Sequence, residues 1–232
     1  MAQPPEVNET FLREVDENLR RDQLRDFFKT YGNWLVAALV LFLAASGGLI
    51  WWKQHRVEQH EVEVEKLAQA YKDVGTGNSA QAPQQFDELS KSGSKAVRAS
   101  AMFARAAVAL QQNDTNLAIN TFKSIAADSG LPKPYRDAAL IRQTALEFDK
   151  IQPQDVITRL APLAKPGEPW FGTAGEMTAL AMIKQGKRQE AGQLFAAIAK
   201  DKSVPDTIRA RAVQVAGSLG VDASTAFQPQ AQ

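Results

Sequence analysis

The stretch "TNLAINTFKSIAADSG" (Thr115–Gly130) sets a pattern that returns along most of the chain. Ala118, Phe122 and Ile125 place a small residue, a large apolar residue four later and another apolar residue three after that. This spacing puts all three on one face of an α-helix. "AQAPQQFDELSKSG" supplies Ala82, Phe86 and Leu89, "QDVITRLAPLAKPG" supplies Val156, Leu160 and Leu163, and "RQEAGQLFAAIAKDKS" supplies Ala191, Phe195 and Ile198. The large residues Phe86, Phe122, Leu160 and Phe195 follow one another at intervals of 36, 38 and 35. A second small residue stands 12 positions before the first: Ala70, Ala106 and Ala179, with Thr144 in the third unit.

Intervals of this size are close to the 34-residue tetratricopeptide period. Each unit then reads as a helix hairpin, with small residues where the paired helices cross closely. Gly77 and Gly186 fall in the turn between the two helices, where a positive φ is needed. Pro132 and Pro205 fall after the second helix, where one helix ends and the next begins. The third unit is degenerate, with Thr144, Val156 and the proline-rich exit "LAKPGEPW". Each hairpin leaves an apolar face that only a neighbour can cover, so stacking builds the core. The segment 205–219 is expected to cap the array. An unrelated helical bundle whose periodicity imitates a repeat is the competing reading.

Upstream, "KTYGNWLVAALVLFLAASGGLIWWKQH" (Lys29–His55) includes 23 residues without a charge, from Thr30 to Trp52. As a helix these would extend about 34 Å, against about 30 Å of bilayer hydrocarbon. Tyr31, Trp34, Trp51 and Trp52 sit at the edges, where aromatic rings favour the headgroup boundary. A buried core helix and a cleaved signal peptide are the alternatives. The acidic leader and the Trp-Trp edge favour a retained transmembrane helix over 31–52. Ala44 and Gly48 form a small-xxx-small pair on which a second membrane helix could pack. Four basic residues before the span (Arg20, Arg21, Arg25, Lys29) against three after it (Lys53, Arg56, Lys66) lean weakly to a cytoplasmic N-terminus.

The domain expectation is therefore a disordered start at 1–9, an amphipathic leader helix at 10–30, the transmembrane helix at 31–52, a helical repeat domain at 53–220 and a flexible tail at 221–232. The leader is either a solvated helix or one lying on a membrane or partner surface. The fold class is all-α: a single transmembrane helix followed by a short tetratricopeptide-like solenoid.

The 27 basic and 26 acidic residues nearly cancel, which does not fit a general nucleic-acid binder. With no cysteine, disulfides, thiol catalysis and Cys-ligated metals are excluded. His55 and His60 are five apart and do not share a helix face as a zinc pair would. Phosphate-loop, serine-hydrolase and zinc-protease motifs are missing from the sequence. No cofactor or metal is expected, and no enzyme. The expected chemistry is that of a groove formed by the first helix of each pair. Its candidate residues are Arg98, Met102, Arg105, Tyr135, Arg136, Arg142 and Trp170, with Phe103 nearby: arginine beside aromatic and Met side chains receives extended or helical segments.

The leader "FLREVDENLRRDQLRDFFKTYGNW", the apolar span and the degenerate repeats, in that order, resemble the YfgM-type ancillary subunits of the SecYEG translocon. The resemblance covers nearly the whole chain, and its most specific part is the leader with "YGNW…WW". It implies a bacterial inner-membrane protein with a cytoplasmic N-terminus and a periplasmic repeat domain. The implied partners are SecYEG, a PpiD-like chaperone and exported client proteins. The leader here is longer than in the enterobacterial type. Two other functions fit the same sequence: a membrane-anchored scaffold with its repeats facing the cytoplasm, and an anchored envelope enzyme.

Overall fold

In the computed structural model, residues 34, 36–49, 51–52, 61–77 and 80–224 are described. Every regular element among them is helical. Two compact units divide the chain, Met1–Glu61 and Val62–Gln232.

In the first unit, residue 34, residues 36–49 and residues 51–52 are helical. The expected transmembrane helix over 31–52 is corrected here: among the described residues no helix is long and apolar enough to cross a membrane. Crossing takes about 20 consecutive apolar residues in one helix, and none of the described helices provides that. The inner-membrane location rested on that span and is corrected with it, and the periplasmic side, which came from the resemblance, loses the anchor it assumed. Trp34, Trp51 and Trp52 are exposed helical residues, and Tyr31 lies outside the described residues. Ala44 and Gly48 lie in the run 36–49, and a Cβ placed on Gly48 would meet nothing within 4 Å. The expected start at 1–9, leader helix 10–30, both histidines and most of the tail also lie outside the described residues.

The second unit contains nine described helices: α1 (61–75, of which 62–75 belong to this unit), α2 (Ala82–Leu89), α3 (Lys95–Gln111), α4 (Thr115–Ala127), α5 (Lys133–Glu147), α6 (Pro153–Leu160), α7 (Phe171–Lys184), α8 (Arg188–Lys200) and α9 (Asp206–Ser218). They pair as α1–α2, α3–α4, α5–α6 and α7–α8, each helix packing on the next from α2 onward, and α9 closes on α8 and α7. The repeat spacing is what places the core. Ala70, Ala82, Ala106, Ala118, Thr144, Val156, Ala179 and Ala191 are all fully buried. These are the paired small positions of the four units. Small side chains let the two helices of a hairpin approach. Phe86, Phe122, Leu160 and Phe195 fill the four hairpins and are at most 2% exposed. Burying each is worth roughly 1.5–3 kcal/mol. The apolar clusters are successive, running from α1–α3 through to α7–α9, as in a solenoid whose units contact only neighbours.

The turns show why the hairpins close where they do. After α7, the Gly186 amide donates to Ile183 O (2.9 Å) and the Lys187 amide to Met182 O (3.0 Å). This pair of bonds is the Schellman ending, which requires a left-handed residue. Gly186 supplies it with φ +78°, and Gly77 has φ +82° after α1. Between α3 and α4 the same bonds run from Asn113 to Leu110 O and from Asp114 to Ala109 O, and Asn113 takes φ +61°. Asp114 then caps α4, its Oδ1 accepting from the Leu117 amide at 2.9 Å. Pro132 and Pro205 are N-caps of α5 and α9, so prolines start helices at both places expected.

Candidate functional site

The first helices of the pairs form one wall of the array, and a groove of about 540 Å³ opens along it. Tyr71 enters from α1, Ser100 and Phe103 from α3, and Tyr135, Ala138, Ile141, Arg142 and Ala145 from α5. Trp170 and Thr173 close it at the start of α7. The α5 positions 135, 138, 142 and 145 are i, i+3, i+7 and i+10, a single helical stripe.

The groove walls are held from behind by the core. Phe103 meets Phe122 with ring centroids 5.5 Å apart and planes tilted by 60°. Tyr71 meets Phe86 in the same way, at 5.5 Å and 57°. Such tilted pairs add about 0.5–1.5 kcal/mol beyond burial and fix the ring orientations. The Tyr71 hydroxyl donates to the Ser100 carbonyl at 3.2 Å, which ties α1 to α3 across the floor. Burial raises the Tyr71 pKa above the usual tyrosine value, so the hydroxyl stays protonated and remains a donor. Trp170 is the N-cap residue of α7 and is half-buried against the apolar cluster of Ile141, Val156, Leu160, Leu163, Ala174 and Ala181.

The structure divides the sequence candidates. Tyr135, Arg142 and Trp170 come together in this groove, with Phe103. Met102 and Arg105 lie on another side of α3, in a second, more polar cleft of about 390 Å³ shared with Asp87, Ser90, Leu117, Asn120, Thr121 and Ser124. Arg105 is committed there, its Nε bonding Asp87 Oδ1 at 3.1 Å. Arg98 pairs with Asp128 at 3.1 Å and ties α3 to the end of α4. Arg136 is half-buried with its Nε enclosed, and it does not line the groove. Tyr71, Ser100, Ala138, Ile141, Ala145 and Thr173 were not anticipated. The helical stripe through Tyr135 and Arg142 carries the signal for Ala138 and Ala145. Tyr71 follows the buried Ala70 of the first unit.

The family described as tetratricopeptide repeat-like domain matches residues 25–216. No curated protein and no solved structure matches the chain.

Proposed function

The chain belongs to the tetratricopeptide repeat-like domain family, and from that we propose that it is a protein-interaction scaffold whose groove receives a segment of a partner protein. The observation that carries this reading is the groove itself. Four aromatic side chains and Ile141 line an open channel across α1, α3, α5 and the start of α7. Aromatic side chains are enriched at the centres of protein interfaces, where they bury large areas at little conformational cost. The pairing of Tyr71 with Phe86 and of Phe103 with Phe122 supports a preformed surface. The reading is non-enzymatic, in keeping with the scaffold role typical of such repeats.

The partners themselves are a finer proposal. The YfgM-type resemblance makes the translocon, a PpiD-like chaperone and exported proteins the first to test. Photo-crosslinking from single positions addresses both levels. A crosslinking residue placed at Ala138 or Ala145, in the groove, should trap one recurring partner. The same residue at Asn116 or Gln193, exposed on α4 and α8, should not. Equal capture from all four positions would overturn the groove reading. Capture of an unrelated protein at 138 and 145 would overturn only the translocon assignment.

A further inference from the structure

We propose that the groove selects an acid-bearing apolar segment: a partner stretch that sets one carboxylate on Arg142 and its apolar side chains against the aromatic lining. This rests on the groove reading above and specifies its occupant.

Among the described residues Arg142 is the one charged residue of the lining, and none of them puts a carboxylate into the groove. Its own helix offers it nothing, because the positions three and four away are Ala138, Ala139, Ala145 and Leu146. It is exposed and has no ion-pair partner among the described residues. The contrast within the same unit is clear. Arg98 is paired with Asp128, Arg105 with Asp87, Arg159 with Glu147, Arg209 with Asp206 and Arg211 with Glu176. Four of these pairs join two elements and Arg209 pairs within α9, whereas the groove arginine is left to water.

This placement discriminates among occupants. A neutral apolar segment that covers the groove strips water from the guanidinium and returns nothing, which costs free energy. A basic segment adds like-charge repulsion. A carboxylate replaces the lost water with a planar two-bond contact, the geometry for which guanidinium is suited. The surrounding apolar wall strengthens that contact by lowering the local dielectric. The Tyr71 hydroxyl is already spent as a donor on Ser100 O. Towards a ligand it therefore offers lone pairs, which suit a backbone N–H of the bound segment.

The test is selection from a random peptide display library on the purified full-length chain, followed by anisotropy measurements with labelled binders. The expected binders carry Asp or Glu beside aromatic or branched apolar residues. Arg142→Gln should weaken them about fivefold, the range of a partly exposed ion pair, and Arg142→Glu more. Replacing the peptide acid by Lys should restore binding to Arg142→Glu and abolish it on the native chain. Because Arg142 is exposed, both variants should keep the native far-UV spectrum. Binders without acid enrichment that are weakened by Phe103→Ala or Tyr135→Ala overturn the charge selection and leave the groove reading standing. Binders indifferent to all of these substitutions, or a library that yields none, overturn both.

Discussion

Phe122→Ala is expected to destabilise the repeat domain by about 3–5 kcal/mol, the range for truncating a buried phenylalanine. The structure accounts for that size. Phe122 is 2% exposed and sits among Ala106, Ala118, Ile125 and Ala139, with its ring against Phe103. Small neighbours on the helix backbones cannot collapse far enough to fill the void. Phe122→Leu is the informative companion, because the third unit carries Leu160 at the equivalent place, fully buried. Leucine keeps the slot apolar and largely filled. It forfeits the ring pair, worth about 0.5–1.5 kcal/mol, so a cost of about 1–2 kcal/mol is expected. Leu160→Phe should cost about 1–3 kcal/mol, since a slot formed around leucine has no room for a ring. Urea unfolding of the full-length chain, followed by helical circular dichroism, measures all three. Hydrogen exchange adds position: Phe122→Ala should release α3–α5 before α8 and α9, because units of a solenoid couple mainly to their neighbours. Equal losses for Phe122→Leu and Phe122→Ala would refute the equivalence of positions 122 and 160. A loss below about 1 kcal/mol for Phe122→Ala would refute the core assignment.

Asp114→Ala removes the cap on the Leu117 amide and should cost about 1 kcal/mol in the same urea assay. Gly186→Ala forces a Cβ into φ +78° and should cost about 1–2 kcal/mol, whereas Asn113→Gly should stay within about 0.5 kcal/mol of the native chain. Asp201 is held below the usual aspartate range, first by the Ser203 hydroxyl at 2.7 Å and then by the Ser203 amide at 2.9 Å. Its contribution is therefore present above the ordinary aspartate pKa and is lost as pH falls through the lowered value; carboxyl NMR titration should show the shift relax in Ser203→Ala. Arg211→Ala breaks the two-bond pair to Glu176 (2.5 and 2.7 Å) between α9 and α7, yet its exposure limits the loss to about 1 kcal/mol, and less in high salt.

The repeat core was legible because each of its positions is dictated by one physical demand. Two helices crossing closely need small residues, and the hairpin interior needs one large one. Ala106, Ala118 and Phe122 satisfy both demands in a fixed spacing, and so do their counterparts. The Asn113 turn was not legible, because asparagine occurs widely in polar loops and only the Schellman bonds reveal its left-handed role. The groove was legible in part. Tyr135 and Arg142 share a stripe with a seven-residue spacing, and Trp170 stands out in a Pro/Gly loop. Met102 and Arg105 line a different cleft, because one residue along a helix is a rotation of about 100°, enough to move a side chain from one groove to another. The span at 31–52 misled for another reason. Residue hydropathy measures affinity for an apolar phase, whereas a span is a property of a whole helix, and among the described residues no helix is both long and apolar enough to cross a bilayer.

The third unit departs from the repeat at the place where the groove is completed. Its second helix, α6, has 8 residues, as α2 has in the first unit, against 13 in both α4 and α8, and what sets it apart is its proline-rich exit. A helix continued past Leu160 would carry the chain along the back of the array. Instead Pro162, Pro166 and Pro169 prevent continuation, and the exit bends back under Leu163, which is 2% exposed. The loop is tied at two adjacent residues. The Gly167 amide bonds Asp201 Oδ2 at 3.4 Å, and Lys133 Nζ lies 3.7 Å from Glu168. The Phe171 amide closes the last turn onto Glu168 O at 2.9 Å, which presents Trp170 at the head of α7, in the groove with Tyr135 and Ile141. A regular unit has a helix N-terminus here and no loop to deliver an indole. Sequence rules broken in one unit and kept in its neighbours mark positions where function competes with regularity. The departure at "LAKPGEPW" is what brings the Trp170 indole to the groove lining.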